Sequence, residues 1–329
     1  MESTAMDQGR LADKAALTSL ENKLQLVRDR VTSVATGYLT GLYVYGAGGL
    51  GKSYTVLRHL DAMEASYKLF NSRMTAKGLF RALEKAPDAI HVLEDLERLT
   101  KDPDAQSLLR AALWAQPGQD RVVPWTTDKD GERHFSFRGG IILLANKPLA
   151  NLPELQALGT RITVLRLEVT DAELAAQMRE LAAQGYTKDD KKLLDPARCK
   201  EVAEYLIAEC RTAGYPLDLR LLENSYKDYL QWASDMATHG WQNLVSSRVR
   251  EAVHHLRCQI NTMSREERRR RRRCILRGLL KQTADQREQL RLYEEWCKEL
   301  DGGSRADFFN RLREVKSGEF DGEEDTAPP

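Results

Sequence analysis

The chain has 329 residues, 42% of them hydrophobic, which is enough for two or three domains and an extensive core. Fifty Lys/Arg against forty-nine Asp/Glu give a formal net charge of +1, so bulk composition marks neither a polyanion binder nor an acidic protein. No run of eighteen apolar residues, a start (Met1-Glu2-Ser3-Thr4) without the basic-then-apolar order of a secretion signal, and five scattered cysteines lacking C-x-x-C spacing argue against a membrane span, export, a zinc site and a disulfide framework. The expectation is a cytoplasmic protein without membrane contact. The six histidines form no ligand set, and His254-His255 reads as part of a helix surface.

Leu17, Leu20, Leu24, Val27, Val31 and Val34 recur every three or four residues, a stripe on one helix face. Two readings stay open: a helix packed on the neighbouring core, or a coiled-coil contact with a partner. Leu42-Tyr43-Val44-Tyr45 then reads as a short buried strand. Directly after it, Gly46-Ala47-Gly48-Gly49-Leu50-Gly51-Lys52-Ser53 matches G-x-x-x-x-G-K-[ST], the phosphate-binding loop of nucleoside triphosphatases. A chance match in a chain this long has a likelihood of roughly one in a hundred at average glycine usage. Glycines let the backbone curl, at positive φ in places, until several N–H groups face phosphate oxygens. The following helix, from Tyr54 onward, adds the partial positive charge of its N-terminus. The stretch Gly46 to Tyr54 is therefore the expected ATP-binding segment, with Lys52 on the β- and γ-phosphates and the Ser53 hydroxyl on Mg2+.

Short apolar runs alternate with helical patterns over the next hundred residues. Strands are predicted at 41–45, 68–70, 89–93, 141–145 and 162–165, and helices near 53–65, 76–86 and 104–115. Continuous apolar strands alternating with helices imply a parallel sheet covered on both faces, with ligands at the carboxyl ends of the strands. Strand 89–93 runs into Glu94-Asp95, two carboxylates where a triphosphatase needs one for the Mg2+ shell and one for the attacking water. Strand 141–145 ends in Asn146, able to hydrogen-bond the γ-phosphate or the water. Between them, Arg121 to Phe137 reads as a β-hairpin around Asp130-Gly131, its aromatics either packed on the core or offered to a substrate.

From residue 170 the pattern is entirely helical. Thr170-Asp171-Ala172-Glu173 is a capping box, Gly185 closes that helix, Asp195-Pro196 opens a second that Gly214 closes, and a third runs from Asp218 to Ser234. Charge segregates beyond it: Trp241 to Lys281 holds twelve Lys/Arg and three Glu, while 282–329 holds seven basic and thirteen acidic residues. Six arginines, Arg268 to Arg273, follow the capping box Ser264-Arg265-Glu266-Glu267. On a helix they point all round, so burial requires a partner for their charge. Nucleic-acid phosphate is the expected partner, with the acidic tail (Glu319 to Asp325) and plain solvation as alternatives. Leu290, Tyr293, Trp296, Cys297 and Leu300 form one stripe, and Phe308, Phe309, Leu312 and Val315 another, across Asp301-Gly302-Gly303-Ser304. This outlines a helix-turn-helix or a simple packing unit; in the former, Arg305, Asn310, Arg311 and Arg313 would face DNA. Residues 318–329 read as an acidic disordered tail.

The order of phosphate loop, acidic strand end, Asn strand end, arginine and helical segment resembles the AAA+ ATPases over roughly residues 38–234, most closely the compact ones of phages and mobile elements. The resemblance implies an α/β P-loop core with strand order 5-1-4-3-2 (38–169) and a helical lid (170–234), to which the residue patterns add an amphipathic helix before it (1–37) and a basic helical C-terminal region after it (235–317). It also implies ATP and Mg2+ as ligands and a homo-oligomer with ATP at subunit boundaries. Asn146 falls at the sensor-1 position, Arg161 at that of the arginine finger and Arg220 at that of sensor 2. The family's usual order is Asp then Glu. Here Glu94 by position serves Mg2+ and Asp95 the water; shifting the register by one gives Asp95 the metal and leaves the base unassigned. The clients implied are DNA or DNA-bound proteins, as in helicase loading, replication initiation or transposition control. A protein-remodelling chaperone with a protein client and a weakly hydrolysing nucleotide-bound scaffold are the alternatives.

Overall fold

A computed structural model describes residues 2–71, 74–94, 102–116, 119–127, 131–149, 161–188, 191–261, 269, 272–273, 275–277, 280, 285–300 and 304–317. The chain divides into two compact units, Met1–Thr170 and Asp171–Pro328. In the first, five parallel strands form one sheet: β1 (Gly41–Tyr45), β2 (Tyr67–Phe70), β3 (Ile90–Glu94), β6 (Ile141–Ala145) and β7 (Thr163–Arg166). Their spatial order is β2-β3-β6-β1-β7, which is the expected 5-1-4-3-2 read from the other edge. The three central strands β1, β3 and β6 are buried along almost their whole length, as continuous apolar runs dictate for a sheet covered on both sides.

Side-chain alternation sorts the two faces. Tyr43, Leu93, Ile141 and Leu143 meet Leu79, Phe80 and Leu83 of α3 (Ala76–Lys85) and Leu108, Leu109 and Leu113 of α4 (Pro103–Leu113) in one core cluster. The Asp102 side chain starts α4 by accepting from the amides of Asp104 and Ala105, with Pro103 in the first turn. On the other face α1 (Glu2–Ala35) packs against α2 (Lys52–Ala62), β1 and β6. Leu20, Val27, Val31 and Val34 of its stripe are buried and Thr32 bonds His59 of α2, so the stripe is core packing, whereas Leu11 upstream is exposed.

The antiparallel pair β4 (Val122–Thr127) and β5 (Gly131–Ser136) confirms the hairpin. Its aromatics turn inward: Trp125 and Phe135 both pack on Phe80, 5.7 Å and 5.3 Å between ring centroids. The second unit departs from the all-helical expectation. Between α5 (Asp171–Gln184) and α6 (Pro196–Ala213) lies a small hairpin of β8 (Tyr186–Lys188) and β9 (Lys191–Leu194), too short to leave a periodicity in sequence. Asp195 caps α6 as expected, α7 (Leu219–Ala233) starts at the Asp218 cap, and α8 (Trp241–Asn261) packs on both.

Near the C-terminus, α9 (Gln286–Leu300) and α10 (Arg305–Ser317) pack around Leu276, Tyr293, Phe308 and Leu312. The arginine run departs from expectation here. Arg273 is 4% exposed and pairs with Glu314, Arg272 pairs with Asp307, and Arg269 is exposed. Two of the six arginines thus have carboxylate partners within the fold; Arg268, Arg270 and Arg271 lie outside the described residues, as do the capping box before them and the acidic tail. Arg311, a candidate to face DNA in the helix-turn-helix reading, is 6% exposed and ion-paired with Asp307 and Glu314, whereas Phe309, expected in the buried stripe, is 41% exposed. Both exchanges follow from the helix setting: Phe308, Leu312 and Val315 already fill the inner face of α10.

Candidate nucleotide-binding site

The phosphate loop bridges β1 and α2 at the carboxyl edge of the sheet. Gly46 continues β1, its amide donating to Ala145 O at 3.3 Å, and a Cβ on it would lie 2.4 Å from Leu167 O, the backbone following β7. No larger residue fits that approach. Gly49 and Gly51 hold φ of 70° and 79°, the left-handed region where a side chain is strained, and Gly51 is the N-cap of α2. Ala47, Gly48 and Leu50 complete the turn, with Leu50 buried. Lys52 opens the helix and is 8% exposed. Its Nζ donates to Gly46 O (2.8 Å), Ala47 O (2.6 Å) and Asn146 Oδ1 (3.2 Å), so the ammonium is folded back over its own loop and ties it to the end of β6. Ser53 lies in the first turn, half-buried, and Tyr54 is 66% exposed on the outer side of α2, with Arg58 against its ring.

Strand register brings the other candidates to the same edge. Tyr45 pairs with Ala145, one residue before Asn146, and Glu94 pairs with Leu144. Glu94 is the last residue of β3, and by alternation it lies on the face of Val92, opposite the cluster that holds Leu93. Its Oε1 is buried and has no hydrogen-bond partner among the described residues. Asp95 lies outside them. Tyr43, wholly buried on the other face, donates its hydroxyl to Lys147 O at 2.8 Å and so anchors the turn that carries Asn146. Burial and the neighbouring Tyr45 raise the Tyr43 pKa, which keeps the hydroxyl a neutral donor.

Arg161 is not part of this edge. Leu42 of β1 pairs with Thr163, so Arg161, two residues earlier, stands at the amino end of β7, away from the chain's own phosphate loop. Its guanidinium lies 5.4 Å from the centroid of the Trp114 ring. Arg220 is exposed in the first turn of α7, in the second unit. Sequence reasoning singled out neither Tyr43, Trp114 nor Leu167. Their contributions are a hydroxyl reaching another strand's turn, a ring under an arginine and a backbone oxygen, and no local pattern encodes any of them.

A P-loop between the central strand and its helix, Asn at the end of the adjacent strand and an acid at the end of the next make a P-loop α/β fold with the strand order 5-1-4-3-2 that the AAA+ resemblance implies. No protein-family model matches the chain. The chain is 26% identical over 185 residues to an uncharacterized 36.7 kDa protein of Enterobacteria phage T4, encoded in the nrdC-mobD intergenic region. The match takes in 50% of the chain and 56% of that protein, so it spans about half the length of this relative. Among solved structures, the chain is similar to Cdc6p of Pyrobaculum aerophilum (16% identity, 92% and 86% of the two chains, TM-score 0.41). It is likewise similar to RuvB of Thermotoga maritima (14% identity, 90% and 88%, TM-score 0.43). Among the described residues no helix is long and apolar enough to cross a membrane.

Proposed function

We propose that the chain is a Mg2+-dependent ATPase of the AAA+ type that acts, as an oligomer, on nucleic acid or on proteins bound to it. One observation carries the ATPase reading: Lys52, Asn146 and Glu94 converge on the carboxyl edge of three neighbouring strands, beside a loop whose curl needs glycine. Lys52, now held by two loop carbonyls and Asn146, exchanges these for the β- and γ-phosphate oxygens of ATP, and Asn146 is then free to hydrogen-bond the γ-phosphate or the attacking water. The residues fit a hard cation: the Ser53 hydroxyl and the Glu94 carboxylate, with its unpartnered buried oxygen, are donors of the type Mg2+ takes. When bound there, Mg2+ neutralises charge on the β- and γ-phosphates. Asp95 orients the water in this register; in the shifted one it takes the metal. Arg161 serves the ATP of a neighbouring copy, consistent with its place at the opposite edge, and Arg220 acts as the second sensor.

The reading is tested by ATP binding and turnover with and without Mg2+ and DNA. Lys52→Ala is expected to lower turnover at least about a hundredfold, the scale on which one donor to developing charge matters. Of Glu94→Gln and Asp95→Asn, the variant that loses Mg2+-dependent binding marks the metal ligand, and the one that binds but turns over slowly marks the water residue. The Glu94-Asp95 order favours a second reading, a nucleotide-bound scaffold, because Asp is one methylene shorter than Glu. ATP bound tightly by the wild type yet hydrolysed no faster than by Lys52→Ala selects that reading, and a wild type that binds no ATP rejects both.

A further inference from the structure

The internal pairing of Arg272 and Arg273 leaves open where the second unit would contact a polyanion. The answer lies on α10. Of its six charged residues, the two acidic ones, Asp307 and Glu314, sit on one flank and are taken up inside the fold: Asp307 by Arg272, Arg311 and the Tyr293 hydroxyl, Glu314 by Arg273 and Arg311. The outer side carries Arg305, Arg313 and Lys316, all exposed, and no carboxylate among the described residues pairs with them. At 3.6 residues per turn these three fall within roughly a quarter of the helix circumference, with Phe309 between them. That ring is 41% exposed and rests edge-on against Phe308, 5.2 Å between centroids. Asn310 is exposed at the border of the same face. The neighbouring α9 differs, since its exposed Arg291 is neutralised by Glu288 and Glu295.

We infer that the outer face of α10, formed by Arg305, Phe309, Arg313 and Lys316, contacts the sugar-phosphate backbone of nucleic acid, while Arg272 and Arg273 serve as internal struts that hold α10 in place. A cationic surface with its counter-charges sequestered behind it is complementary to a polyanion, and release of condensed counterions drives such binding. An exposed ring among cations also offers a stacking platform for an unpaired base. The inference deepens the nucleic-acid half of the reading above and is independent of the ATP site, so Lys52→Ala is expected to keep this binding.

The test is fluorescence anisotropy of the full chain with labelled single- and double-stranded oligonucleotides over a salt series. Replacing Arg305, Arg313 and Lys316 together by Gln is expected to weaken binding at all sequences alike. The slope of log affinity against log salt should flatten by about 0.9 per lost duplex contact. Phe309→Ala is expected to weaken the single strand by about tenfold and the duplex little; equal loss on both removes the stacking role. Arg305→Lys with Arg313→Lys keeps the charge and must keep the affinity, and a matching melting curve for the Gln variant shows that binding loss is not unfolding. Unchanged affinity and slope in the Gln variant, loss in the Lys variant, or a wild type that binds only acidic protein would overturn the inference.

Discussion

The phosphate-loop edge of the first unit and the arginine run of the second both read in sequence as sites for phosphate, yet their cations end in different surroundings. Lys52 is buried and, among the described residues, donates to carbonyl and amide oxygens that a phosphate can replace. Arg272 and Arg273 are held by carboxylates in a small hydrophobic cluster, where exchange would take from Asp307 and Glu314 one of the two arginines that pair with each. A buried cation is available to a ligand when its partners are neutral dipoles and committed to the fold when they are charges.

That contrast can be broken experimentally, beginning with the loop. Gly46→Ala places a methyl group against Leu167 O and is expected to cost about 1–3 kcal/mol and to abolish ATP binding. A variant that binds ATP normally would mean that the loop tolerates displacement from β7. In the run, Arg273→Gln is expected to destabilise the packing around Leu276 and Tyr293 by about 1–3 kcal/mol, seen as faster amide exchange in α10. Arg269→Gln, on an exposed site, should stay within about 0.5 kcal/mol of the wild type. Equal effects from both would remove the distinction between strut and surface.

Two smaller effects sharpen the site. Tyr43→Phe deletes the hydrogen bond to Lys147 O and should cost about 1 kcal/mol. It should also reduce ATP turnover more than ATP binding, because the turn holding Asn146 loosens. His91 is wholly buried beside Phe70 and Phe137, and burial lowers its pKa from 6.5. The unfolded chain therefore takes up a proton more readily than the folded one, and stability falls as pH drops below the unfolded value. Melting temperatures between about pH 7.5 and 5.5 should show this decline, and His91→Phe should flatten it. An unchanged slope in that variant would assign the acid sensitivity to other groups.

Much of the first unit was legible because its signals are local. Apolar runs of three to five residues gave the strands and glycine spacing gave the loop, as Asp195 and Asp218 gave helix starts in the second unit. The β8–β9 hairpin was not legible, being three and four residues long with no alternation to detect. Phe309 and Arg311 were exchanged between inside and outside, since a stripe predicts a face without saying how wide it is.

The sequence by itself determined the loop, the order of strands and helices, and the acid and amide at strand ends, because each depends on residues adjacent along the chain. Only the tertiary structure decided that Lys52 reaches Asn146, that Tyr43 anchors the turn behind it, and that part of the arginine run is neutralised from within. Those contacts join residues up to 104 positions apart, and their Coulombic and hydrogen-bond energies depend on distance in space, which a one-dimensional pattern does not carry.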